Sequence, residues 1–111
     1  MKSTTFALAL LLAHTAPALA ENKCSAAADA YAQARAVIDP GPDACEATLR
    51  EALAGMKTTR DAAESCGCAP LSDDMGRFLA RLRSSDASCF DKSQDIMLYD
   101  AQFADLIADC R

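Results

Sequence analysis

The cysteines are the residues of this chain most able to carry out chemistry, and two of them stand one residue apart in Cys66-Gly67-Cys68. Two thiolates at this spacing could hold a soft metal such as Cu(I), or form a reactive disulfide. No basic or imidazole side chain stands beside the motif to lower a thiol pKa. One hypothesis is therefore a thiol-redox or copper-binding protein that uses Cys66 and Cys68.

The even number of cysteines favours a structural role instead. The chain contains six, and small exported domains commonly compensate for a modest core with disulfides. Structural bonds that involve both Cys66 and Cys68 are the preferred interpretation.

The first 20 residues resemble an export signal. Lys2 is followed by the uncharged apolar run 6–13, and Ala18-Leu19-Ala20 is the small-x-small pattern that a signal peptidase cleaves. The apolar run is too short for a transmembrane anchor, which needs about 20 residues. We predict a signal peptide over 1–20 and a periplasmic or secreted domain over 21–111 without a transmembrane anchor.

Cleavage would change the chemistry that the chain can offer. His14 is the only histidine, so the mature chain would lack the usual general base and the commonest zinc or copper(II) ligand. Removal of Lys2 would leave ten basic against sixteen acidic residues, which argues against nucleic acid as a partner. The sequence predicts neither an enzyme nor a resident cofactor.

The cysteines follow a regular spacing. They divide the chain into two units, each with the pattern C-x20-C-x20-C, over 24–66 and 68–110. Cys66-Gly67-Cys68 joins the units. The spacing predicts a structural repeat of two helical hairpins.

Apolar residues recur at intervals of three and four in both units, as on one face of a helix. Prolines and glycines in 39–43 and 67–70, and the polar run 84–86, interrupt this pattern. We predict an all-α fold, with helices over 24–38, 43–66, 70–83 and 88–110 in an up-down, bundle-like array.

Helix lengths restrict the disulfides. Cys45 and Cys66 would lie roughly 31 Å apart along one helix, too far for a bond. The same holds for Cys89 and Cys110. At one end of the array Cys45–Cys89 is the expected bond. At the other end, Cys24–Cys66 with Cys68–Cys110 and Cys24–Cys68 with Cys66–Cys110 are both compatible with the spacing.

Two charged faces are candidate binding surfaces. Such faces are usually solvated, although charged rims also steer association with a partner. The basic face lies on the third predicted helix and the acidic face on the fourth. Their residues are Arg77, Arg81 and Arg83, and Asp91, Asp95, Asp100, Asp105 and Asp109.

Large apolar residues at helical spacing are expected to form the core. A pocket for a small ligand between the hairpins is the weaker alternative, and it would make the chain a carrier. The set comprises Tyr31, Met56, Met75, Phe78, Met97, Tyr99 and Phe103.

The preferred function is binding to another protein. Export, acidity, the absence of histidine from 21–111 and cysteines committed to structure indicate a non-catalytic module. Its expected partner is another envelope or extracellular protein, as for an inhibitor, an immunity factor or an accessory subunit.

Overall fold

The fold is all-helical, with disulfides between the helices. A computed structural model describes residues 24–38 and 44–110, and within these ranges it contains no strand. The predicted signal peptide 1–20 and the predicted break at 39–43 lie outside the described residues. The helices are α1 (Ser25–Ala36), α2 (Cys45–Ser65), α3 (Ala69–Ser84), α4 (Cys89–Leu98) and α5 (Asp100–Asp109).

The turn between α2 and α3 is built on Gly67. This residue has φ 81°, a left-handed conformation that favours glycine. The Cys68 N–H donates to the Ala63 carbonyl over 2.8 Å and the Gly67 N–H donates to the Glu64 carbonyl over 3.2 Å. These two bonds form a Schellman motif, which satisfies carbonyls that the end of α2 would otherwise leave unpaired. Pro70 then lies in the first turn of α3, where its missing N–H costs nothing.

The prediction of one helix over 88–110 was wrong, because the chain divides at Tyr99. Its backbone has φ −91° and ψ 2°, outside the usual helical range. The Tyr99 N–H still donates to the Asp95 carbonyl, and the Phe103 N–H donates to the Tyr99 carbonyl, so the break is a kink. The described residues therefore contain five helices, against the four that were predicted.

The kink allows the last arm of the chain, which consists of α4 and α5, to pack on two different helices. α4 contacts α2, whereas α5 contacts α3. At the kink, the Tyr99 ring lies 4.9 Å from the Phe78 ring, and the Arg81 guanidinium lies 4.9 Å from the Tyr99 ring. A straight helix would not be expected to make these contacts together.

The core is formed by the predicted apolar faces. In its centre, the Phe103 ring lies 5.9 Å from Tyr31 and 5.2 Å from Phe78, both edge to face. Met97 is the exception to the predicted core, because it is 43% exposed. The largest fully buried apolar side chains are Phe103, Met56, Leu71, Met75, Leu82 and Ile96.

Two of the three buried hydroxyl residues, Thr59 and Ser93, have a side-chain contact that satisfies them. Thr59 Oγ1 donates to the Gly55 carbonyl over 2.9 Å. Ser93 Oγ lies 3.7 Å from Cys45 Sγ, a sulfur contact within hydrogen-bond range. No buried side-chain nitrogen or oxygen among the described residues lacks a partner. In the described part of the chain, no buried side-chain polar atom therefore requires a ligand to satisfy it.

Candidate functional site

Three disulfides link the helical arms. Cys45 at the start of α2 is bonded to Cys89 at the start of α4, with their Cα atoms 6.1 Å apart. This is the pair that helix lengths favoured. At the opposite end of α2, the first of the two pairings left open by the sequence is present. Its bonds are Cys24–Cys66 and Cys68–Cys110, with Cα separations of 5.5 and 5.6 Å.

The two disulfides at this end lie against each other. The Sγ atoms of Cys24, Cys68 and Cys110 all lie within 4.8 Å of one another, although Cys24 belongs to a different bond from the other two. We call Cys24, Cys66, Cys68 and Cys110 the double-disulfide end. A surface hollow of about 230 Å³ adjoins it, lined by all four cysteines together with Gly67, Pro70, Leu106 and Asp109.

Three sulfur atoms this close could serve a soft metal only as thiolates. All six cysteines are bonded in disulfides in this structure. A site that uses Cys66 and Cys68, as the copper hypothesis requires, therefore depends on prior reduction of both bonds. The three disulfides are consistent with an oxidising periplasmic or extracellular environment.

The predicted basic face is exposed but does not act as one cluster. Arg77 pairs with Asp74 on its own helix. The Arg81 guanidinium lies over the Phe78 and Tyr99 rings, 5.0 and 4.9 Å from their centroids, a cation–π arrangement. Arg83 lines a shallow groove between α2 and α3.

The predicted acidic face is divided by the kink. Asp91 and Asp95 lie on α4. The Asp91 backbone N–H donates to Ser88 Oγ, which caps the start of this helix. Asp105 and Asp109 are exposed on α5, and Asp109 lines the hollow at the double-disulfide end. Asp100 joins neither the acidic residues of α4 nor those of α5, because its side chain contacts α1.

Asp100 forms a polar cluster with α1 that the sequence did not indicate. Tyr31 Oη donates to Asp100 Oδ1 over 2.6 Å, and Arg35 Nε donates to the same oxygen over 2.7 Å. These hydrogen bonds, Tyr31 first, hold the pKa of the Asp100 carboxyl below its usual value. Burial, followed by the hydrogen bond to Asp100, raises the pKa of the Tyr31 hydroxyl well above its usual value. The cluster therefore fixes α5 against α1.

The most distinctive exposed feature is an apolar strip on α4. Among the described residues, the large apolar side chains that remain exposed are Phe90 at 51%, Met97 at 43% and Leu98 at 75%. Phe90 and Leu98 are eight residues apart, so they share one side of the helix, two turns from each other. Asp91 and Asp95 stand seven and three residues before Leu98, so they border one edge of the strip, next to Leu98. We call Phe90, Met97 and Leu98 the α4 strip.

Sequence reasoning missed this strip for a specific reason. In the segment 88–110, the apolar residues that recur at intervals of three and four on one face include Cys89, Ile96 and Phe103, and these pack in or against the core. Phe90 and Leu98 lie outside that face, and single exposed apolar residues are normal in proteins. The signal that could have revealed the strip is that Phe90 and Leu98 share one side of the same helix, away from its buried face.

Other hollows in the described residues are shallow. The largest near α1 has a volume of about 430 Å³ and lies between α1 and α2, lined in part by Ala30, Ala34 and Gly55. The carrier hypothesis placed a pocket between the hairpins. At the centre of that space the rings of Tyr31, Phe78 and Phe103 pack against one another, and at its surface lies the shallow groove between α2 and α3.

Comparison with protein-family models, with curated proteins and with solved structures yields no significant match. Among the described residues, no helix combines the length and the apolar character that crossing a membrane requires. The function is therefore inferred from the chemistry and exposure of the residues themselves.

Proposed function

We propose that this chain is an exported, non-catalytic module that binds another envelope or extracellular protein through the α4 strip. The observation that carries the proposal is the exposure of Phe90, Met97 and Leu98 on one short helix, when the other large apolar side chains of the described chain are buried or partly buried. Exposed apolar groups that lie together are a common feature of protein contact surfaces.

The surroundings of the strip define the chemistry of the partner. Asp91 and Asp95 border Leu98, and neither forms an ion pair within the described residues. A complementary surface would offer an apolar groove to Phe90 and Leu98 and lysine or arginine side chains at its rim. The acidic balance of the whole chain would assist the approach of such a basic partner.

The rigidity of α4 also supports a contact role. The Cys45–Cys89 bond fixes its first residue to α2, and buried Ile96 fixes its last turn to the core. A surface held in place before binding loses little conformational entropy when the complex forms.

Site-specific photo-crosslinking tests this proposal in the intact, oxidised chain. A photoreactive residue at position 90 or 98, in cells or in envelope extract, should give one shared adduct that excess unmodified chain competes away. The same probe in place of Ala104, an exposed residue of α5, should not give that adduct.

A substitution pair provides the matched control. Leu98→Asp should reduce the adduct formed from position 90 at least about tenfold, the loss expected when a central apolar contact is removed. Ala104→Asp adds the same charge to an exposed helix position and should leave the adduct unchanged. Equal adducts from both variants, or no competition by unmodified chain, would contradict the proposal.

A further inference from the structure

We propose that the double-disulfide end accepts an external thiolate at Cys66 and passes the exchange on to the second bond, so that its two disulfides interconvert. The observation is the distance between sulfur atoms of different bonds. Cys24 Sγ lies within 4.8 Å of both Cys68 Sγ and Cys110 Sγ, so a thiolate at Cys24 would stand next to an intact disulfide. The inference is independent of the α4 strip.

Exposure determines where an external thiolate attacks. Cys24 and Cys110 are buried, whereas Cys66 and Cys68 are only partly buried. All four line the surface hollow of about 230 Å³, which offers a small thiol or a protein cysteine a way in. At Gly67, nothing lies within 4 Å of the position that a Cβ would occupy, so the turn between the two accessible cysteines is open.

The exchange is balanced in sulfur and in electrons. The external thiolate attacks Cys66 Sγ; a mixed disulfide forms there, the Cys24–Cys66 bond breaks, and Cys24 leaves as a thiolate. Cys24 then attacks Cys68 Sγ, which forms Cys24–Cys68 and releases the Cys110 thiolate. Cys110 attacks Cys66 Sγ, which forms Cys66–Cys110 and releases the external thiolate. No electrons are gained or lost, and the product is the second pairing that the sequence had left open.

The Cys45–Cys89 bond provides an internal control. It lies at the opposite end of α2, about 20 residues and roughly 30 Å away along the helix. The group of neighbouring sulfur atoms in the described chain includes neither of these cysteines. A thiolate produced there has no second disulfide to attack.

The variant Cys66→Ser isolates the second step, because it leaves the Cys24 thiol beside the Cys68–Cys110 bond. The oxidised variant is held at pH 3, where thiolates are protonated, and then brought to pH 8 before alkylation at increasing times. Tryptic peptides 24–35, 61–77 and 93–111 report separately on Cys24, Cys68 and Cys110. If the disulfide isomers of this variant differ in population by no more than tenfold, at least about one tenth of the alkylating label should be found on Cys68 or Cys110.

The matched control is Cys45→Ser, in which the label should remain on Cys89 at all times. Label confined to Cys24 in a helical Cys66→Ser chain would overturn the proposal. If circular dichroism shows that this variant is unfolded, Cys66→Ala provides the same test, because it also leaves the Cys24 thiol beside the Cys68–Cys110 bond. Label that stays on Cys24 in a helical Cys66→Ala chain would overturn the proposal equally.

Discussion

At the scale of single residues, the polar cluster of Tyr31, Arg35 and Asp100 is the main long-range contact between polar side chains. Tyr31 and Asp100 are 69 positions apart, yet their side-chain oxygens lie 2.6 Å from each other. The cluster joins α1, the first helix, to α5, the last, beside the Tyr31–Phe103 ring contact. Its role is to orient the last arm, and it can be tested without touching a cysteine.

Removal of the Tyr31 hydroxyl should destabilise the fold. Tyr31→Phe keeps the ring contact with Phe103 but leaves Asp100 with Arg35 alone, so we expect a loss of about 1 kcal/mol in the free energy of unfolding. Urea denaturation followed by circular dichroism measures the effect. The control is Tyr99→Phe, whose hydroxyl has no hydrogen-bond partner in the described structure, and which should cost about 0.5 kcal/mol or less. Equal effects of the two variants would assign no role to the Tyr31 hydroxyl.

The same cluster makes stability depend on pH. The folded pKa of Asp100 lies below its unfolded value, so its contribution is fully present above the unfolded pKa, about 4, and is lost as the pH falls through the folded pKa. Asp100→Asn removes this dependence. The difference in urea midpoint between the natural chain and Asp100→Asn should therefore be larger at pH 7 than at pH 2.5. A difference that stays constant, or that grows toward acid, would contradict the assignment.

At the scale of the helices, α1 and α2 approach each other closely at Gly55. A Cβ added at Gly55 would lie 2.8 Å from the Ala34 Cβ and 3.3 Å from the Ala34 Cα. Both of these atoms belong to a packed helix and cannot swing away. Gly55 thus sets the spacing of the first hairpin.

Two glycine substitutions should therefore have opposite effects. Gly55→Ala should destabilise the fold by about 1–3 kcal/mol, because overpacking outweighs the better helix propensity of alanine. Gly76→Ala should stabilise it by about 0.5–1 kcal/mol, because the new Cβ would make an ordinary 3.5 Å contact with Arg60 Cδ. Thermal unfolding of both variants measures the contrast. The same sign for both would mean that the α1–α2 spacing is not fixed by Gly55.

Periodicity explains why most of the helical architecture could be predicted from the sequence. Intervals of three and four identified the buried faces, which include Ala27, Leu49, Leu71 and Ile96. Such a pattern carries no information on a kink without proline or glycine. The break at Tyr99 coincides instead with ring packing against Phe78 from another helix. Local pattern therefore predicts which residues are buried, but not where a long helix bends.

The candidate sites were less accessible to sequence reasoning, for a related reason. The hydrogen bond between Tyr31 and Asp100 arises from tertiary packing, so Asp100 was assigned to an exposed face that it does not join. Helix length alone excluded some disulfides and left two pairings at one end. That ambiguity has a physical counterpart, since three sulfur atoms from both bonds lie within 4.8 Å of one another.

At the scale of the whole molecule, cross-links hold both ends of the array. The loops closed by the three bonds span 42 to 44 residues, and each bond of this size contributes roughly 4 kcal/mol on the chain-entropy model. The proposed function depends on this rigidity, because the α4 strip is useful for binding only if α4 is held in place. Disulfide connectivity is therefore the central claim.

The most direct test is the intact mass of the oxidised protein with and without alkylation, followed by tryptic mapping without reduction. The account predicts no alkylation and a mass six hydrogen atoms below that of the reduced chain, two for each of three bonds. Peptide 36–50 should be linked to 84–92, and peptide 61–77 to both 24–35 and 93–111. Alkylation at Cys66 and Cys68, added mass from a metal, or a link between 36–50 and any other peptide would contradict it.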